Sequence, residues 1–138
     1  MKKHWIWILF LVVLSAALLV LPNTKSGVCN QARRNQAQLT ECARTCMDRP
    51  GETVQYGSWD VRYDQTYGVV VFQVSYTGFG SQSDETGIYY SPLDAASGLG
   101  NDLGEELSEQ GVKFLGDGDN YTYVEKITDH WYWFRRHW

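Results

Sequence analysis

Cys42 and Cys46 form a C-x3-C pair one helical turn apart, and with Cys29 they are the only thiols in the 138-residue chain. Side chains at i and i+4 of a regular helix run parallel, too far apart for relaxed disulfide geometry, so these two are not expected to bridge each other. Three cysteines leave one unpaired, which in an oxidising compartment points to an intermolecular disulfide and a homodimer. Thiols resting on a helix stripe are the plainer expectation. His4, His130 and His137 show no ligand spacing with the cysteines, so no metal site is expected and no cofactor is implied.

The carboxylates give no catalytic pattern either. Asp102, Glu105, Glu106 and Glu109 fall at i, i+3, i+4 and i+7, the spacing of one solvated helix side. Catalytic carboxylate pairs instead face each other across a cleft. Asp117-Gly118-Asp119-Asn120 begins like a calcium loop. The match fails at Tyr121 and Thr122, and Thr128 occupies the place of the bidentate glutamate, so a tight turn is expected. Thr77 to Ser83 is rich in glycine and serine, but it lacks the P-loop lysine. A small hydrolase-like enzyme would require Asp60, Asp64 and His130 to converge in space.

The segment from His130 to Trp138, HWYWFRRHW, is the most unusual in the chain. As a strand it turns His130, Tyr132 and Phe134 one way and Trp131 and Trp133 the other. One set is expected to complete the core. The other would form a contact surface of Trp131, Trp133, Arg135, Arg136 and Trp138, suited to stacking on sugars or to a protein groove.

Charge divides the chain sharply. Residues 1 to 50 carry seven basic and two acidic side chains, whereas residues 51 to 129 carry fourteen acidic ones against Arg62, Lys113 and Lys126. The acidic part repels phosphate backbones, so nucleic acid is not an expected partner.

An uncharged run from Trp5 to Leu21 follows Lys2 and Lys3. As a helix it would reach about 25 Å, against a hydrocarbon core of about 30 Å. Residues 1–27 are therefore expected to be a signal-anchor with the N-terminus inside, making the chain a single-pass membrane protein whose domain lies outside the cytoplasm. The alternative is a cleaved secretory signal and a secreted or periplasmic protein. Ser15-Ala16-Ala17 has cleavage-site residues but lies inside the run, and Val28 before Cys29 argues against lipid attachment.

Residues 28–50 are expected to be a juxtamembrane helix, stopped by Pro50-Gly51, with Leu39, Cys42, Ala43 and Cys46 on one side. Residues 51–138 are expected to be an acidic α+β domain. Strands are expected at 53–63, 66–77, 87–90, 112–115, 121–127 and 131–134, with Gly57 as a bulge and Asp64-Gln65 as a hairpin turn. Leu99, Leu103 and Leu107 recur every four residues, and Ser91-Pro92 resembles a helix entry, so one helix ending at Gly111 is expected across a small antiparallel sheet. The functional expectation is a non-enzymatic binding or accessory module with a protein partner. A disulfide-linked structural subunit is the other alternative.

Overall fold

The computed structural model describes residues 23–138. Its centre is an antiparallel sheet of eight strands: β1 (Thr53–Tyr56), β2 (Trp59–Asp64), β3 (Val69–Phe79), β4 (Gln82–Tyr90), β5 (Gly104–Leu107), β6 (Val112–Leu115), β7 (Tyr121–Thr128) and β8 (Trp131–His137). The spatial order is β1-β2-β3-β4-β8-β7-β6-β5, so two meanders meet where β8 pairs with both β4 and β7. Two helices precede the sheet, α1 (Lys25–Arg34) and α2 (Gln36–Met47). The Thr24 side chain caps α1 by accepting from the Gly27 N–H.

Strand alternation sorts the apolar residues onto two faces. On one face Trp59, Val61, Val70, Phe72, Ile88, Trp131 and Trp133 pack beneath Val28, Ala32, Leu39, Ala43 and Cys46 of the helices. α1 lies over β4, β7 and β8, and α2 over β1, β2 and β3. Phe72 meets Trp131 edge-on at 5.4 Å between ring centroids. On the opposite face Val69, Val71, Tyr89, Phe114, Val124, Tyr132 and Phe134 are joined by Leu99 from the segment between β4 and β5.

This architecture corrects the expected small sheet with one packed helix. The segment after Ser91 forms no helix, and its end becomes β5. Ser91 does use its cap chemistry, accepting from the Ala95 N–H, but Asp94 takes φ 51° and turns the chain away. Gly98 and Gly100 then fit where a side chain would not. A Cβ on Gly98 would lie 2.8 Å from Cβ of Phe114, and Gly100 has φ 106°. Leucines four apart share one side of a helix, but Leu103 and Leu107 equally share one face of a strand.

Other boundaries shift for reasons of turn chemistry. The expected strand 53–63 divides at a two-residue hairpin turn, Gly57-Ser58, where Gly57 takes φ 60°. The turn placed at Asp64-Gln65 is a four-residue loop in which the Asp64 carboxylate accepts from the N–H groups of Thr66 and Tyr67. The expected loop 77–83 is mostly ladder, closed by Gly80-Ser81. The juxtamembrane helix expected over 28–50 is two helices interrupted at Asn35.

Among the described residues no helix is long and apolar enough to cross a membrane, so the transmembrane and signal-anchor expectation gains no support. The run from Trp5 to Leu21 on which it rested lies outside the described residues.

Gly87 on β4 tests the close approach at the sheet centre. A Cβ there would overlap the backbone carbonyl oxygen of Phe72 and lie 3.0 Å from the Phe134 ring. Gly87→Ala should cost about 1–3 kcal/mol or more in urea unfolding. Gly104→Ala on β5 meets only ordinary contact with Leu115 and should change stability by less than about 0.5 kcal/mol.

Candidate functional site

Beyond the end of α1, the helix-covered face of β6, β7 and β8 opens into a recess of about 460 Å³ lined by Lys25, Lys113, Tyr121, Tyr123, Trp133 and Arg135. The sheet register places these side chains together, because Lys113, Tyr123 and Arg135 are successive partners across β6, β7 and β8. Lys25 enters from the first turn of α1. Its ammonium sits 4.7 Å from the Trp133 ring centroid and 2.6 Å from the Glu125 carboxylate, which also accepts from the Tyr123 hydroxyl. Lys113 stands 4.8 Å over the Tyr121 ring, and that ring stacks on His137.

Three cations therefore converge in a region whose surroundings are acidic. Each has a carboxylate neighbour, but two of those contacts are long: Lys113 to Glu106 at 3.8 Å and Arg135 to Asp84 at 3.5 Å. Exposed pairs at such distances bind weakly and exchange readily for another anion. The Trp133 and Tyr121 rings meanwhile hold the two lysines without neutralising them.

The residues expected to form a contact surface separate. Trp131 is fully buried in the core, with an Nε1–H that finds no acceptor among the described residues, and Trp133 is 8% exposed. Arg135 is exposed in the recess. Arg136 faces the other side of the sheet, where its Nε donates to Glu85 at 3.1 Å and its guanidinium lies 4.6 Å from the Trp138 ring centroid. Lys25, Lys113, Tyr121 and Tyr123 were not singled out from the sequence. The scarcity of basic residues in 51–129 was the available signal for Lys113.

The cysteines are all free, with Cys46 buried and Cys29 and Cys42 half-buried. Cys46 donates its S–H to the Val61 carbonyl at 3.7 Å. Burial pushes all three thiols above their ordinary pKa, which disfavours the nucleophilic thiolate. Among the described residues, no three His, Cys, Asp or Glu side chains gather as metal ligands.

Asp60, Asp64 and His130 do not converge. Asp60 accepts from the Gln55 amide and Asp64 serves its loop. His130 lies near Ser91 and Asp94, but with the wrong atoms for a triad. Its Nδ1 meets the Ser91 backbone carbonyl, its backbone N–H donates to Asp94, and the Ser91 hydroxyl accepts from Ala95. The chain matches no protein-family model, no curated protein and no solved structure.

Asp94 has a structural role with a pH signature. The Lys126 ammonium, the His130 N–H and the Tyr132 hydroxyl all donate to its carboxylate, and together they lower its pKa from 3.8 to about 2. The folded value lies below the unfolded one, so the stabilisation is complete above about pH 4 and is lost as the pH falls through 2. Thermal melts should show wild type above Asp94→Asn by a constant interval at pH 5–7, with the electrostatic part of that interval closing between pH 4 and 2.

Proposed function

We propose that this chain is a non-enzymatic binding module that takes an anionic ligand, presenting a carboxylate, sulfate or phosphate group, in the recess between α1 and β6–β8. The observation that carries this reading is the convergence of Lys25, Lys113 and Arg135 around Trp133, Tyr121 and Tyr123. Ligand pockets commonly span about 300–1,000 Å³ and combine apolar walls with a few directed polar groups, and this recess matches that description. Guanidinium and ammonium donors suit oxyanions, Arg135 by a planar fork and the lysines as point charges.

The remainder of the chain favours the same place. Acidic side chains dominate residues 51–129, so an anion approaching the sheet is repelled from most of it and attracted where the positive groups cluster. Glu125 holds Lys25 at the rim while the longer contacts of Lys113 and Arg135 leave those two the easier to recruit.

Isothermal titration with D-glucuronate, inorganic phosphate and neutral glucose tests the reading. Binding of at least one anion, none of glucose, and weakening by 0.5 M NaCl are expected. Lys113→Ala and Arg135→Ala should each weaken binding roughly tenfold, about 1.4 kcal/mol. Absence of binding by both anions, or equal binding by both variants and wild type, would overturn it.

A further inference from the structure

A second surface, on the opposite side of the sheet, has different chemistry. β5 is an edge strand: β6 pairs with one side of it, and among the described residues no strand pairs with the other. The Ser108 N–H donates to the Gly111 carbonyl, so the bonded pairs of this antiparallel ladder fall at Ser108/Gly111 and Glu106/Lys113. The backbone N–H and C=O groups of Glu105 and Leu107 then point outward. Leu103 and Leu107 flank this edge at 71% and 79% exposure. Edge strands are commonly blunted by shortness, charge, proline or a bulge. Four-residue β5 is guarded by the negative charge of Glu105 and Glu106, which repels acidic strands and admits basic ones.

Directly beside the edge is a pocket of about 340 Å³. Tyr67, Leu99 and Phe114 provide its apolar walls, and Asp102 and Glu105 place carboxylates on its rim. The wall segment is firmly held. Arg136 donates to the Leu99 carbonyl at 3.0 Å, the Ser97 N–H to the Tyr89 hydroxyl at 2.9 Å, and the Asn101 amide to Thr122 at 2.8 Å. The pocket wall is thus fixed by the chain's own hydrogen bonds.

We infer that the β5 edge and this pocket form a strand-addition site for a basic, extended segment of a partner protein, with one lysine or arginine side chain entering the pocket between Tyr67, Phe114 and the carboxylates. Charge selects that occupant. A second copy pairing β5 antiparallel with β5 about Glu105 or about Glu106 would set that glutamate against its own counterpart, whereas a basic residue opposite Glu105 would meet the opposite charge. In strand addition the main chain supplies affinity and pockets for alternate side chains supply specificity, and both elements are present here. The opposite edge of the sheet, β1, is a weaker candidate because α2 packs against it.

Fluorescence anisotropy with a labelled (Lys-Val)4 peptide tests the site on the full chain, with octalysine and (Glu-Val)4 as controls. (Lys-Val)4 should bind at least tenfold tighter than octalysine, and (Glu-Val)4 should not bind. N-methylation of every peptide-bond nitrogen removes the peptide's main-chain donors on both edges without altering the protein and should abolish binding. Glu105→Pro deletes an outward N–H while sparing the β6 ladder, and should weaken binding at least tenfold with the thermal midpoint nearly unchanged. Binding that survives N-methylation, or that octalysine equals, would overturn the inference. A wild-type dimer in sedimentation that Glu105→Pro dissociates would also overturn it, by assigning the edge to a second copy.

Discussion

A carboxylate with no access to water organises this fold. Glu85 is 0% exposed in the middle of β4 and is held from three directions: Arg62 on β2, Gln73 on β3 and Arg136 on β8. A buried charge of this kind costs several kcal/mol unless paired and hydrogen-bonded, and removing one partner of such a pair typically costs about 3–5 kcal/mol. This arrangement favours one register of the four strands, because a one-residue slip would turn Glu85 to the other face of the sheet, away from Arg62, Gln73 and Arg136. Arg136 extends the constraint to the far side by holding the Leu99 carbonyl. The pocket wall beside β5 is thus tied to the same ion pair that sets the pairing of β4 and β8.

The two faces of the sheet divide the work. One is sealed by helices except beyond α1, where cations and rings line the recess. The other is partly covered by the segment between β4 and β5, which replaces a helix with irregular chain fastened by side-chain hydrogen bonds. The recess and the β5 pocket lie on opposite faces and are lined by different residues.

Much of the sheet was legible in the sequence because alternation is a local signal. Val70, Phe72 and Val74, Gly87 to Tyr90, and the aromatic run after His130 announce strands whatever surrounds them. The β5 segment misled because a four-residue leucine spacing fits two periodicities, and only the three-dimensional fit of Gly98 and the positive φ of Gly100 decide between them. Glu85 carried no local mark at all, since its partners come from three other strands. The recess was half legible. Trp133 and Arg135 stood out by type, but Lys25, Lys113, Tyr121 and Tyr123 reach it from three other elements, and pairing register rather than sequence proximity brings them there.

The position of β8 between two meanders bears on how the chain reaches this structure. Strands β1 to β4 and β5 to β7 each grow by neighbouring hairpins, at small entropic cost. The seam between them joins residues 84–90 to 131–137, more than forty positions away along the chain. Closing that long loop is the least local pairing in the sheet, and contacts so distant in sequence form slowly. Until it closes, the inner edges of both half-sheets remain open to foreign strands. The pairing of Glu85 with Arg136 needs this seam, so the contact that completes the burial of Glu85 also covers both inner edges.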